Sequence, residues 1–162
     1  MQNHPNVVAV RDALDRADAR ATDGTRPGIV VLDAGVHTAA AAAAALGCEV
    51  GQIANSLIFD ADGTPLLVLT SGAHRVDTGK VAALIGADRV GRATPEFVRT
   101  HTGQPIGGVA PVGHPTPVRT LVDTALAGHR QVWAAAGVPQ TVFPLTYAEL
   151  VRITAGTPAD VA

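Results

Sequence analysis

The residues of this 162-residue chain that could do chemistry are few, and the familiar catalytic patterns are missing. No motif of the GxGxxG or GxxxxGK[ST] type predicts a bound nucleotide cofactor. Ser71 lacks the G-x-S-x-G pattern of a hydrolase nucleophile, and the one cysteine, Cys48, is expected to be an inert buried thiol. The histidines lack the HxH and HxxxH spacings typical of metal sites, since they stand at positions 4, 37, 74, 101, 114 and 129. We therefore predict neither a metal nor a cofactor.

Two features remain that could line a site. Strand alternation in "QIANSLIF" places Asn55 on a face with Ile53, Leu57 and Phe59, and a buried amide without partners costs about 1–3 kcal/mol. Such an amide either fixes the sheet through hydrogen bonds or lines a pocket, and its position leaves both interpretations open.

The second feature is the glycine- and proline-rich stretch "QPIGGVAPVGHP", residues 104–115. Adjacent glycines let a ligand approach the backbone closely, and proline fixes the backbone direction. Such a loop can present N–H and C=O groups as an electrostatic site. Taken alone, it could also be a tight connection between strands.

Periodicity, caps and turns predict the elements that would position these residues. Three helices are expected at "NHPNVVAVRDALDRADARA", over 38–47 and over about 78–85, and two more over 94–103 and from position 146 onward. Their predicted N-caps include Thr38, Asp77, Thr94 and Thr146. Strands are expected over 29–33, 53–59 and 66–70, with an Asp-Gly turn inside "DADGTP", and in three later runs. The final "TPADVA" is expected to be a loose tail.

This order of elements predicts one mixed α+β domain over residues 1–162, because a hairpin and a late run of strands do not suit a purely parallel sheet. Hydrophobic residues make up 47% of the chain and aromatic residues 3%, so the core must consist of Val, Leu, Ile and Ala. No signal peptide and no apolar run of about 20 residues is visible. We therefore expect a cytoplasmic protein that does not enter a membrane.

The formal charge of -2 argues against a protein that coats nucleic acid non-specifically. Residues 71–119 nevertheless carry six Lys/Arg against three Asp/Glu. This basic middle, which includes Arg89, Arg92 and Arg99, could contact phosphate or could be an ordinary solvated surface.

Taken together, "GCEVGQIANSLIF" and the later "TGQPIGGVAPVGHP" resemble the YbaK/EbsC family of aminoacyl-tRNA deacylases, which are relatives of the editing domain of bacterial prolyl-tRNA synthetases. The most specific match is the G-x-x-x-P loop from Gly107 to Pro111, and the D-x-x-K of Asp77 and Lys80 also fits. The resemblance implies a mixed, barrel-like sheet surrounded by helices. It further implies hydrolysis of the ester that joins a wrong amino acid to the 3′ end of a tRNA, of the tRNA-Pro type.

The resemblance also implies which residues form the site. The loop would hold the aminoacyl end through backbone groups, with a water and the terminal 2′-hydroxyl taking part in the reaction. The expected partners are the tRNA acceptor end and a synthetase. The candidate catalytic residues are Asn55, Gly107, Gly108 and Pro111. The candidate substrate contacts are Ser71, His74, Arg75, Val109, Ala110 and His114.

One residue departs from the family pattern. The usual strand motif reads like "I-x-K-S-L-x-F", whereas this chain has Asn55 in "IANSLIF". A neutral amide forms weaker hydrogen bonds than an ammonium group does. The protein could use Asn55 for orientation and the loop for catalysis, could edit a different amino acid, or could be a binding module without catalysis. We also expect that a Cβ at Gly107 would crowd the loop.

Overall fold

The computed structural model describes all residues from 1 to 162 as five α-helices and one eight-stranded sheet. The helices are α1 (Pro5–Arg16), α2 (Ala39–Leu46), α3 (Thr78–Ile85), α4 (Pro95–Thr102) and α5 (Tyr147–Thr154). The strands are β1 (Val30–Val31), β2 (Ile53–Ala61), β3 (Thr64–Ser71), β4 (Val90–Arg92), β5 (Arg119–Asp123), β6 (Val132–Ala135), β7 (Thr141–Leu145) and β8 (Thr157–Ala159). Short 3₁₀ turns cover Val50–Gln52 and Thr124–Gly128.

The sheet is mixed, which confirms the predicted α+β class. Its strands follow the order β1-β7-β6-β2-β3-β5-β8, and β4 pairs with β2 outside this path. Pairing is parallel for β2 with β6, β3 with β5 and β5 with β8, and antiparallel elsewhere. The end strands β1 and β8 do not pair with each other.

Local chemistry sets the element boundaries where it was expected to. The side chains of Thr38, Asp77, Thr94 and Thr146 each accept a hydrogen bond from a backbone N–H in the first turn of the helix that follows. In the β2–β3 hairpin, Asp62 and Gly63 both adopt positive φ, at 51° and 89°. Positive φ at both central residues is the geometry of the type I′ turn, which fits the twist of the flanking strands.

The two faces of the sheet are buried differently. The larger core cluster holds Leu67, Leu69, Val122 and Phe143 with α1, α4 and α5 residues packed on it. A smaller cluster on the opposite face includes Leu66 and Val68, against which α3 packs through Val81. Almost all of this core is aliphatic, as the composition predicted.

One expectation about the sheet was wrong, and one strand was not predicted. The final residues are not a loose tail, because β8 extends β5 in parallel and buries Ala159 and Val161. The short β4, centred on Gly91, was not predicted, since its pairing with β2 is a long-range contact that local sequence does not reveal. No helix of the fold is both long and apolar enough to cross a membrane.

Candidate active site

A cavity of about 740 Å³ opens where β2 changes partners. β2 pairs with β3 along one edge. Along its other edge, β2 pairs first with β6 and later with β4, and residues 55–58 between these two partners have no strand neighbour on that edge. The cavity walls include β2 from Ile53 to Phe59 and the loop residues Ile106, Gly107 and Val109. Most of its lining side chains are hydrophobic. Its volume is in the range of small-molecule sites.

The loop wall of the cavity begins with a tight turn. The Gly108 N–H donates to the Pro105 carbonyl at 3.0 Å, and Gly107 between them has φ +88°. A positive φ at the third turn position is the requirement of a type II turn, which favours glycine there.

The two glycines of the loop have different reasons to be glycine. A Cβ on Gly108 would lie 2.6 Å from backbone atoms of Val138, whereas a Cβ on Gly107 would meet nothing within 4 Å. The expected crowding at Gly107 was therefore wrong. Close backbone packing requires glycine at position 108, and φ favours it at position 107.

Two side chains hold the loop through hydrogen bonds to the backbone N–H and C=O of Ala110. The Gln104 Oε1 accepts from the Ala110 N–H, and His114 Nε2 bonds the Ala110 carbonyl, both at 2.7 Å. Because a carbonyl only accepts, Nε2 carries the proton. Burial lowers the pKa of His114, so the imidazole is neutral at pH 7. Gln104 is 2% exposed and was missed by the sequence analysis, because nothing in its spacing indicates a partner six residues away.

Several backbone N–H groups of the loop remain free. Those of Gly108 and Ala110 are bonded as described, whereas those of Ile106, Gly107 and Val109 donate to no acceptor in the protein. All three of these residues line the cavity. The loop therefore offers unused donors on a rigid support, the arrangement that stabilises a developing oxyanion.

Asn55 lines the same cavity from β2. Its side chain is half-buried, and no hydrogen bond joins its amide to another residue, so it is not an amide that holds the sheet together. The one charged side chain in the lining is that of Arg92, which is exposed and forms no salt bridge. The cavity wall thus combines neutral donors with one cation at its rim.

Ser71 and His74 lie outside this cavity and are bound to Asp123, a buried carboxylate that is 1% exposed. Asp123 Oδ2 accepts from the Ser71 N–H and pairs with His74 Nδ1, both at 3.0 Å, and the Thr70 hydroxyl donates to it at 3.3 Å. The other oxygen accepts from the Ala125 N–H at 2.9 Å. Asp123 was not among the site residues predicted from the sequence. We call Asp123 and these donors the Asp123 cluster.

The predicted site residues thus fall into separate places. Asn55, Gly107 and Val109 line the main cavity, while Gly108 and Ala110 support the loop from behind. Arg75 is exposed beside the Asp123 cluster and has no ionic partner. The remaining two, Pro111 and His114, line a second cavity of about 340 Å³ that α1 borders with Arg16.

The model of the aminoacyl-tRNA editing domain matches residues 33–153. A proline–tRNA ligase of Nitratidesulfovibrio vulgaris (strain DP4) is 36% identical over 119 residues, which are 71% of this chain and 21% of the ligase. A ligase of Levilactobacillus brevis is 34% identical over 89 residues, 55% of this chain and 16% of that protein. This chain therefore spans about a fifth or less of the length of these curated relatives.

Solved structures show the same likeness over the whole chain. One, described as a candidate trans-editing enzyme for prolyl-tRNA synthetase, is 41% identical with a TM-score of 0.88, and the alignment covers 98% of this chain and 97% of that one. These matches define the class, a domain of the aminoacyl-tRNA editing type. The chain belongs to the aminoacyl-tRNA editing domain family. The predicted family, fold and class of editing deacylase are confirmed.

Proposed function

We propose that the protein hydrolyses the ester bond between a mischarged amino acid and the 3′ end of a tRNA of the tRNA-Pro type. The observation that carries this function is the set of free N–H groups of Ile106, Gly107 and Val109 at the wall of a cavity of nucleoside size. Membership in the editing-domain family supports catalysis over the alternative of a non-catalytic binding module.

The free N–H groups suit a one-step hydrolysis without a protein nucleophile. Water attacks the ester carbonyl, its oxygen forms the new C–O bond, and the bond to the tRNA 3′ oxygen breaks as that oxygen takes up a proton. Negative charge develops on the carbonyl oxygen, where donors held in advance stabilise it most effectively. The Gly107 and Val109 N–H groups are our choice for this role, and Asn55 would orient the ester or the water through its amide.

The rim of the cavity suits the acceptor end of a tRNA. Arg92 places a cation there, and the exposed Arg89 and Arg99 lie on or near the neighbouring elements β4 and α4. Arginine forms paired hydrogen bonds with phosphate. The similarity to parts of proline–tRNA ligases supports tRNA-Pro as the carrier and a synthetase as a partner.

The direct test is a panel of tRNA-Pro and cognate tRNAs charged with alanine, serine, threonine or cysteine, followed by release of the labelled amino acid. We expect turnover of at least one mischarged tRNA and none of correctly charged tRNA-Pro. No release from any member at micromolar enzyme would refute the proposal.

Asn55 variants separate catalysis from mere binding. Asn55→Ala should lower kcat/KM about 10-fold, since it removes one neutral hydrogen bond. Asn55→Asp keeps the shape but has only acceptors, so an equal loss would identify the NH₂ group as the working part. If the protein were a binding module, the wild type would be inactive and Asn55→Lys, which restores the family's residue, would create activity.

A further inference from the structure

The open edge of β2 carries backbone groups that no strand satisfies. Pairing with β6 ends at Ala54, opposite Ala134, and pairing with β4 begins at Phe59, opposite Arg92. The four residues between these points all line the main cavity. The gap is thus an internal strand edge that faces a ligand-sized space.

The hydrogen bonds of β2 to its neighbours identify which backbone groups face the gap, because alternate residues direct their N–H and C=O to opposite edges of a strand. The Ile53 carbonyl bonds the Gly72 N–H on the β3 side at 2.7 Å, and the Asp62 N–H bonds the Arg89 carbonyl on the β4 side at 3.1 Å. The backbone N–H and C=O groups of odd-numbered residues therefore point to β3, and those of even-numbered residues point to the other edge. Ser56 N–H, Ser56 C=O and Ile58 N–H are left without a strand partner.

The side chain of Ser56 adds to this unsatisfied polarity. Its hydroxyl oxygen is buried and has no hydrogen-bond partner. A buried hydroxyl without a hydrogen bond is rare and costly, and here it adjoins three backbone groups without a strand partner, so this short segment has the character of a surface that a ligand completes.

The order of the free groups defines the ligand chemistry. A carbonyl followed two residues later by an N–H on the same edge matches a flat group with a donor beside an acceptor. Adenine carries this pair in its 6-amino group and N1. Guanine carries the reverse order, O6 as acceptor and N1–H as donor, so it opposes the edge at both points when its ribose lies where that of adenosine lies, and it fits only if the base turns over and moves the ribose.

We infer that Ser56 C=O and Ile58 N–H bind the Watson–Crick edge of the terminal adenine of the tRNA, an inference that rests on the proposed function. The apolar side chains of Leu57 and Phe59 lie on one side of this edge and suit one face of a base. Arg92 pairs with Phe59 across β2 and β4, and from there it can contact a phosphate of the tRNA near the terminal adenosine. Recognition by backbone groups leaves the side chains of the cavity free to select the amino acid.

The first test measures binding without turnover. The probe is 3′-alanylamido-3′-deoxyadenosine, whose amide replaces the labile ester, with three base variants: purine, hypoxanthine and 7-deazaadenine. We expect the Kd to rise about 10-fold for purine and at least about 100-fold for hypoxanthine, which reverses the pattern. The matched control, 7-deazaadenine, changes only the opposite edge and should stay within about 2-fold.

Amide NMR signals locate the contact on the protein. The Ile58 N–H signal should move downfield with the adenine probe and much less with hypoxanthine, while the Leu57 N–H, which faces β3, should move little. Equal affinity for adenine and hypoxanthine, or a shift confined to other residues, would overturn the inference.

Deacylation of tRNA ending in inosine distinguishes this inference from the proposed function. Unchanged turnover of the inosine-ended tRNA would leave the function standing and overturn the base contact. Discrimination between the amide probes without hydrolysis of any charged tRNA would support the base contact and refute the function.

Discussion

The cavity wall and the Asp123 cluster are both polar regions inside the fold, yet their hydrogen bonding differs completely. Asp123 accepts from Ser71, Thr70, His74 and Ala125, so its buried charge is fully used within the protein. The cavity wall instead keeps free donors on its loop and free groups on β2. Satisfied polarity stabilises the fold, and unsatisfied polarity is available to a ligand. Mutations in the two regions should therefore affect different measurements.

The largest effect on activity is expected from Gly108→Ala, which damages the support of the cavity wall. Its Cβ would lie 2.6 Å from the Val138 backbone, so the loop must move. A displacement of about 1 Å in a catalytic loop can lower kcat/KM about 100-fold. The matched variant Gly107→Ala meets no atom and carries only the strain of φ +88°, so we expect about a 10-fold loss. Equal kcat/KM values for both variants would contradict this distinction.

Asp123→Asn should disrupt the hydrogen bonds of the Asp123 cluster and reduce the stability of the fold, with little effect on activity. An amide cannot accept four hydrogen bonds and places its NH₂ against donors, so we expect a loss of about 2–4 kcal/mol in the free energy of unfolding. Urea unfolding measures this loss, and kcat per folded molecule should change little. Asp160→Asn, which removes the exposed ion pair with Lys80, is the control and should leave the midpoint unchanged. A large drop in kcat with an unchanged midpoint would place Asp123 in the reaction.

Gln104→Met tests whether a buried internal hydrogen bond also maintains the cavity wall, since Gln104 is buried and bonds the loop that forms this wall. Methionine keeps the volume but cannot accept from the Ala110 N–H. We expect kcat/KM to fall about 10-fold and stability to fall by about 1–2 kcal/mol. Stability lost with kcat/KM intact would show that the loop keeps its shape without this bond.

The smallest expected effect is the pH dependence due to His114. Burial lowers its pKa below the ordinary 6.5, so the unfolded chain takes up a proton at a higher pH than the folded protein. Stability therefore falls as the pH drops below about 6.5, and the loss continues down to the lowered pKa. His114→Gln, with a neutral amide donor, should flatten this slope between pH 7 and 5. The same slope in both proteins would contradict the assignment.

Local chemistry made much of the fold predictable. The threonine and aspartate caps, the Asp-Gly turn and the glycines that end helices act within a few residues, and these predictions were confirmed. The strands β4 and β8 escaped prediction, because their stability comes from pairing with β2 and β5. Intrinsic preference for such short runs is weak, and tertiary contacts decide them.

The site divides in the same way. The composition of the loop pointed to Gly107 and its neighbours, because glycine and proline mark special backbone positions directly. Asp123 lies 52 residues from Ser71 along the chain, so no local signal could join them. The free edge of β2 was equally invisible, since it depends on where two other strands stop.

Trp133 gives the cavity an optical reporter. It is the only tryptophan of the chain, it lines the cavity, and it pairs with Ile53 just before the open edge of β2. With a single indole, the fluorescence of the unmodified protein comes from one place, so quenching or a spectral shift on addition of a nucleoside reads out occupancy of that place. Titrations can then follow the natural chain without a label, and unfolding can be monitored through the same signal.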